Sequence, residues 1–318
     1  MICIRLFAIS LLAAAAVSGQ PPAVSSPPAP GRLVDIGGRR LHLNCTGSGS
    51  PTVVVENGSG AFSLDWALVQ PGVSSFTRIC TYDRAGYAWS DRGPMLDLVE
   101  ETVGDLHLLL QNAGISPPYV LVGASIGGAY VRTYQRHFPG QVAALVLVDA
   151  THDEGLDYEI EGKGKPLSLV TAEELRAFMA RLMARNLSPP QAPVKTSKPF
   201  DRLPEDLQAT RLWANQRYFS NIDMKQIPYE AEASRQEFVA LRKQRLQHQP
   251  LGDLPLFVLA RGLNTNDEKK RMQTELAALS RVGKLRVAAE SDHEIHLYQP
   301  DLVIQSIKEA VEAARRAR

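Results

Sequence analysis

Val120-Leu121-Val122-Gly123-Ala124-Ser125-Ile126-Gly127-Gly128-Ala129 is the stretch on which the reading of the whole chain turns. A short apolar run leads into Gly-x-Ser-x-Gly, and the residues that follow keep helical spacing until Pro139-Gly140. The pattern predicts a strand over residues 119–122 and a helix over residues 126–138. A serine on so sharp a strand-to-helix turn takes up strained backbone angles, and side chains two positions before and after it would collide. Glycine at 123 and 127 removes that collision. The strain lifts the Ser125 hydroxyl into the open, and the following helix points its first amides at any negative charge that develops nearby. Gly-x-Ser-x-Gly alone is common, because serine also caps ordinary helices. Strand, elbow and helix in succession make Ser125 a candidate nucleophile.

The same alternation extends in both directions. Upstream, residues 32–44 hold two short apolar runs around Gly37-Gly38, a hairpin signal. The β-branched run Thr52-Val53-Val54-Val55-Glu56 reads as a strand buried on both faces. A further strand is expected over residues 77–82 and a helix over 96–113. Downstream come strands at 143–148, 254–260 and 285–289, with helices at 268–280 and 300–314. Repeated β-α units of this length imply a mainly parallel sheet with helices on both faces. Residues 151–249 differ, offering amphipathic helices and no convincing strand. One helix is expected over 171–185, where Thr171 and Glu174 form a capping box and Leu175, Phe178, Met179 and Leu182 share a face. The last β-α units are too small to fold alone, so this segment is read as an insertion into one domain.

The composition narrows the possible partners. Of 318 residues, 44% are apolar and 22% charged, and 35 Lys and Arg face 34 Asp and Glu, a formal charge of +1. With no basic stripe, nucleic acid is not an expected partner. The chain opens with one basic residue, Arg5, an apolar run over residues 6–17 and small residues up to Gly19. That order reads as a secretory signal peptide over residues 1–19, since a bilayer span needs about 20 apolar residues. Residues 20–31 contain five prolines and are expected to form a mobile tether, with the folded domain running over 32–318. The expected destination is secreted or periplasmic, with no stable membrane span after cleavage. Removing the leader takes Cys3 with it, and the remaining pair, Cys45 and Cys80, permits one disulfide in an oxidising compartment.

Three loops now stand in a recognisable order. They are Gly58-Ser59-Gly60 with Phe62-Ser63-Leu64-Asp65-Trp66, then Tyr82-Asp83-Arg84-Ala85-Gly86-Tyr87, then residues 122–128. From about Arg32 onward the chain resembles the α/β-hydrolase superfamily, in its esterase-like and peptidase-like branch. The resemblance implies a mostly parallel eight-stranded sheet with helices on both faces, a helical cap inserted at about residues 151–249, and serine chemistry needing neither metal nor cofactor. A serine at 125 argues against the dehalogenases and epoxide hydrolases of the superfamily, which use aspartate there.

A serine hydroxyl is a poor nucleophile at neutral pH and needs a general base. By the resemblance this is His293, in Ser291-Asp292-His293-Glu294-Ile295-His296, with His296 its competitor. Many relatives have glycine at position 292, so Asp292 puts a carboxylate beside the base, where it would raise its pKa. His42, His107, His137 and His248 read as exposed or structural. The orienting acid stays open. Asp149 follows one strand and is preferred, Asp267 follows another, and Asp153 and Glu154 are outsiders. The oxyanion donors are expected to be the amides of Ile126 and Ser59, with Asn57 in the place of a histidine common in relatives. In such sheets the strands of Cys45 and Cys80 are neighbours, which makes a cross-strand disulfide reasonable. The implied activity is hydrolysis of a small-molecule carboxylic ester through an acyl-enzyme on Ser125. Two alternatives are an iminopeptidase-like amidase using Asp153, Glu154 or Glu161 to hold the substrate amine, and a non-catalytic binding protein.

Overall fold

Each central strand is short, apolar and buried, and the strands do not meet in sequence order. The computed structural model describes residues 26–93, 98–155, 157–160 (backbone alone), 163–185 and 188–317. The expected leader and the first part of the Pro-rich stretch lie outside the described residues, as does Glu161.

Strands β1 (Arg32–Asp35) and β2 (Arg40–Thr46) form the expected hairpin, Asp35 pairing with Arg40 across Gly37-Gly38. Both glycines hold positive φ, 100° and 91°, which side chains on L-residues resist. Next come β3 (Thr52–Glu56), α1 (Gln70–Ser74), β4 (Ile79–Tyr82), α2 (Val99–Asn112), β5 (Tyr119–Ala124), α3 (Gly127–His137) and β6 (Val142–Val148). The inserted segment carries β7 (Asp157–Ile160), β8 (Lys163–Pro166), α4 (Ala172–Met183), α5 (Glu205–Asn221) and α6 (Ile227–Arg245). The chain ends with β9 (Leu256–Arg261), α7 (Asp267–Ala277), β10 (Lys284–Ala288), α8 (Ile295–Tyr298) and α9 (Pro300–Arg316).

The main sheet has eight strands in the order β1-β2-β4-β3-β5-β6-β9-β10. It is parallel from β4 to β10, and β1 and β2 add antiparallel pairings at one edge. Alternate residues of the central strands bury opposite faces, the two-residue period of a strand. Val54, Leu121, Leu145 and Val258 pack with Val103 and Leu106 of α2 and Val131 of α3. Val53, Val122, Val146 and Leu259 pack with Val303, Ile307 and Val311 of α9. A strand sandwiched this way can be apolar throughout, and β3 and β5 are buried at every position. Cys45 and Cys80 sit directly opposite each other on β2 and β4 and form a disulfide.

The insertion roofs the C-terminal edge of the sheet. Leu175 and Met179 of α4 and Phe238 and Leu241 of α6 close over Ala129 of α3, with Ile126 at the margin. Ala214 of α5 packs with Phe62, Leu64 and Tyr87. The Thr171–Glu174 capping box starts α4 as expected, each residue bonding the other's backbone amide. The hairpin β7-β8 corrects the expectation of a strandless insertion. Its strands are only four residues long: Asp157-Tyr158-Glu159-Ile160 alternates polar and apolar, but its partner Lys163-Gly164-Lys165-Pro166 has no strand-favouring residue, so the signal is short and one-sided. The end of the Pro-rich stretch is also anchored. The Trp89 indole donates to Pro27 O at 2.8 Å and His42 Nε2 contacts Pro30 O.

Candidate active site

In a parallel sheet the loops that follow the strands gather at one edge, where ligands of open α/β folds bind. Here those loops bring Asn57 after β3, Arg84 after β4, Ser125 after β5, Asp149 after β6 and His293 after β10 to a common place.

Ser125 is held at φ 54°, a left-handed conformation costing a non-glycine residue on the order of 1–3 kcal/mol. Backbone ties hold it there. The Ser125 amide donates to Val148 O at 3.1 Å, and the Thr151 amide donates back to Ser125 O at 2.8 Å. The glycines of the elbow are sterically required. A Cβ on Gly123 would lie 2.5 Å from Gly127 O, and a Cβ on Gly127 would lie 2.4 Å from Glu56 O. The first collision is the one expected within the elbow. The second is with the neighbouring strand end, so Gly127 also lets helix α3 start against the loop after β3.

Asp149 likewise has a positive φ of 40° and is tied through its amide to Leu259 O at 2.7 Å. Its carboxylate, 6% exposed, places Oδ2 2.5 Å from His293 Nδ1, and His293 Nε2 lies 2.9 Å from Ser125 Oγ. Nδ1 carries its proton towards the carboxylate in this arrangement, which leaves the Nε2 lone pair facing the hydroxyl. The unit can therefore take a proton from Ser125 Oγ and stabilise the imidazolium that results.

Of the acids left open, Asp149 is the one beside His293. Asp267 is fully exposed and pairs with Lys270 at 3.3 Å. Asn266 caps α7 by accepting from the Lys269 amide at 2.8 Å, which fixes Asp267 in the first helical turn, facing water. Asp153 and Glu154 are committed elsewhere. Asp153, fully buried, accepts from Arg245 at 3.0 Å, and Glu154 accepts from Arg245 at 2.6 Å and Arg242 at 3.2 Å. Neither is placed to receive a substrate amine.

His296, the competitor for the base, stacks on Trp66 with ring centroids 4.8 Å apart and lies buried, with no hydrogen bond to either ring nitrogen from the described residues. Burial first, then the neighbouring His293 and Arg211, push its pKa down to about 3, so it is neutral. The Asp292 carboxylate is held by groups other than the imidazole ring. It accepts from Arg261 at 3.0 Å, from Asn264 at 2.6 Å and from the His293 amide at 2.8 Å. Burial works to raise the Asp292 pKa, but these hydrogen bonds together hold it below the ordinary carboxylate value. His42 is structural as expected, buried with Nδ1 2.7 Å from Asp83.

Of the two expected oxyanion donors, one is bonded to the nucleophile and the other is next to a residue that touches it. Ile126 follows it directly, and Gly58, which precedes Ser59, is so close that its Cβ would lie 3.2 Å from Ser125 Cβ. Asn57 braces the start of this loop from behind. Its Oδ1 accepts from the Trp66 indole at 2.7 Å and its Nδ2 donates to Tyr82 O at 3.3 Å. Arg84, which sequence reasoning left without a role, reaches Asn57 O at 2.7 Å and Gly58 O at 2.8 Å. Beyond Ser59 and Gly60 opens a cavity of about 430 Å³ under α5, lined also by Phe200, Arg211, Tyr218 and Phe219. Ser125 and His293 are not on its wall; Ser59 and Gly60 are the residues that it shares with the expected oxyanion loop. Arg211 there is neutralised by buried Asp65 at 2.8 Å.

No group of three His, Cys, Asp or Glu among the described residues is arranged to hold a metal, and no described helix is long and apolar enough to cross a membrane.

A probable transporter, efuK, of Hormonema carpetanum is 40% identical over 110 residues, 32% of this chain and 16% of that protein. The chain spans 16%, 28% and 37% of the length of three curated relatives that it matches. Among solved structures, the enol-lactonase of Burkholderia xenovorans LB400 superposes with a TM-score of 0.61 at 17% identity, covering 88% of this chain and 100% of that one. A thermophilic esterase of Thermogutta terrifontis gives 0.59 at 18%, covering 87% and 94%. At such identities the likeness speaks for the fold alone. The family model that matches, described as the alpha/beta hydrolase family, takes in residues 53–306, which include the six parallel strands from β3 to β10 of the main sheet, save the first residue of β3, and the whole insertion, and the chain belongs to that family of hydrolases.

Proposed function

We propose that this hydrolase cleaves carboxylic ester bonds of small molecules through an acyl-enzyme on Ser125. One observation carries the reading. His293 stands between Ser125 Oγ, at 2.9 Å, and Asp149 Oδ2, at 2.5 Å. Ser125 Oγ attacks the carbonyl carbon while His293 Nε2 takes its proton. The amides of Ile126 and Ser59 receive the oxyanion, and the protonated imidazole returns the proton to the departing alkoxide. Water, activated by the same imidazole, then releases the acid. Ester is favoured over aminoacyl amide because two of the three carboxylates that could hold a free amine, Asp153 and Glu154, are paired with arginines; the third, Glu161, lies outside the described residues.

The reading includes export. An oxidising compartment accounts for the Cys45–Cys80 disulfide and for the leader-like residues 1–19. The names enol-lactonase and esterase, borne by two structural neighbours, guide only the choice of substrates. The test is a panel of p-nitrophenyl esters, lactones and aminoacyl anilides, read with wild type and Ser125→Ala. The expected result is turnover of esters or lactones that Ser125→Ala abolishes. Preferential turnover of aminoacyl anilides would replace this reading by the peptidase one.

A further inference from the structure

We propose that Arg84 is a positioning residue that presets the oxyanion loop, its guanidinium gripping two consecutive carbonyls so that the amides of Gly58 and Ser59 are aimed before substrate arrives. The inference rests on the acyl-enzyme reading above, and it gives a role to a motif residue which that mechanism leaves unused.

Arg84 is 4% exposed and its partner Glu56 1%. Nη1 donates to Glu56 Oε1 at 2.9 Å and to Asn57 O at 2.7 Å, while Nη2 donates to Gly58 O at 2.8 Å and to Tyr87 Oη at 3.0 Å. The Tyr82 hydroxyl bonds the other oxygen of Glu56. The rings of Tyr87 and Tyr130 flank the guanidinium carbon at 4.5 and 5.2 Å. A buried ion pair needs only its two members, and a pair kept purely for stability is often replaceable by apolar side chains. The two carbonyl bonds go beyond pairing, and they need the planar fork of arginine.

Those bonds set the direction of the amides. The peptides joining Asn57 to Gly58 and Gly58 to Ser59 are not among the cis bonds of the chain, and in a planar trans peptide the N–H points opposite to the C=O. Fixing Asn57 O and Gly58 O on Arg84 therefore turns the N–H groups of Gly58 and Ser59 away from Arg84. Gly58 packs on Ser125, 3.2 Å from its Cβ when a Cβ is built on Gly58, and Gly60 follows at φ 66°. The loop closes one turn of its own, the Ala61 amide donating to Gly58 O at 3.3 Å, and the Gly60 amide donates to Tyr87 Oη at 3.4 Å. The guanidinium adds a buried charged anchor to that same Gly58 carbonyl and to Asn57 O, and donors that need no reorganisation are the ones that stabilise a developing oxyanion most.

The test compares wild type, Arg84→Met and Arg84→Lys with a p-nitrophenyl ester and with phenylboronic acid, whose tetrahedral adduct on Ser125 puts an oxygen where the oxyanion forms. Thermal midpoints are read alongside. Losing an aimed donor costs about 10²- to 10³-fold in kcat. Arg84→Met is expected to lose on that order with KM within about threefold, and its boronate Ki is expected to rise by the same factor by which kcat/KM falls. Arg84→Lys keeps the buried charge beside Glu56 but cannot fork, so it folds and is expected to lose at least about tenfold in both readouts. If Arg84→Met does not fold, Arg84→Lys decides alone. Unchanged kcat and boronate Ki in a folded Arg84→Lys, with only the midpoint lowered, would make Arg84 structural and overturn the inference. Wild type that neither turns over ester nor binds boronate would overturn the acyl-enzyme reading with it.

Discussion

Replacing Asp149 by Asn changes charge and hydrogen bonding while keeping shape, so its effect can be worked from the geometry. When His293 takes the Ser125 proton, the imidazolium forms against a carboxylate whose Oδ2 is 2.5 Å from Nδ1. With charges roughly 3.5 Å apart and an effective dielectric of about 20, their attraction is about 5 kcal/mol. Arg261 Nε stands 3.1 Å from the same oxygen and offsets part of it, leaving about 4 kcal/mol, or about a thousandfold in rate. The side-chain amide introduced by Asp149→Asn has no good orientation to recover this. With its nitrogen in the Oδ2 position it opposes Arg261 and forces the proton of His293 onto Nε2, where it can no longer accept from Ser125. With its nitrogen in the Oδ1 position it opposes the Arg261 amide, which donates to Oδ1 at 3.4 Å, and the negative charge is still gone. Steady-state hydrolysis of a p-nitrophenyl ester is expected to show kcat/KM about 10³-fold lower for Asp149→Asn, with the thermal midpoint nearly kept. Asp267→Asn should stay within about twofold of wild type. The reasoning is refuted if Asp149→Asn keeps more than a tenth of the activity, or if Asp267→Asn matches its loss.

Three further outcomes follow from the packing. The Cys45–Cys80 bond closes a loop with a sequence separation of 35, so the Cys45→Ala/Cys80→Ala double variant is expected to lose about 4 kcal/mol in urea unfolding, as wild type should in reductant. Gly127→Ala would push a Cβ to 2.4 Å from Glu56 O and 2.7 Å from Asn57 O, backbone atoms that cannot swing aside. It is expected to cost about 1–3 kcal/mol or more in unfolding free energy and to lower kcat as the loop shifts. His296 is buried neutral with its pKa at about 3 against an ordinary 6.5, so only the unfolded state takes up a proton between those values. That contribution is full above pH 6.5 and is lost as pH falls towards 3, at about 1.4 kcal/mol per pH unit. His296→Phe, which keeps the stack on Trp66 and breaks no hydrogen bond, should match or exceed wild-type stability at pH 7 and gain on it progressively towards pH 5. Parallel stability curves would count against the buried neutral imidazole.

The parts of this molecule that could be read from its sequence are those set by local backbone demands. The elbow at Ser125 is one, since glycines at 123 and 127 answer contacts within a few ångströms of the turn. The apolar runs of β3 and β5 are another, because a strand buried on both faces needs no alternation. The acid was harder. Asp149 and Asp267 each follow a strand of the right half of the sheet, and the difference lies in how Asn266 starts α7 and turns Asp267 outward. The role of Arg84 is set by carbonyls 26 and 27 residues away, a tertiary fact with no periodicity. The β7-β8 hairpin pairs Asp157-Tyr158-Glu159-Ile160, which alternates polar and apolar but is only four residues long, with Lys163-Gly164-Lys165-Pro166, whose residues all disfavour a strand, so the signal is short and one-sided. The burial of His42 against Asp83 follows from strand order, which puts β2 beside β4.

The central claim is that Ser125 is a nucleophile activated by His293. Intact-mass spectrometry with peptide mapping after reaction with a fluorophosphonate tests it most directly. The account expects one adduct per folded chain, on Ser125, formed far more slowly in His293→Ala and not at all in Ser125→Ala. A folded wild-type protein that stays unlabelled, or that is labelled at another residue, would contradict it.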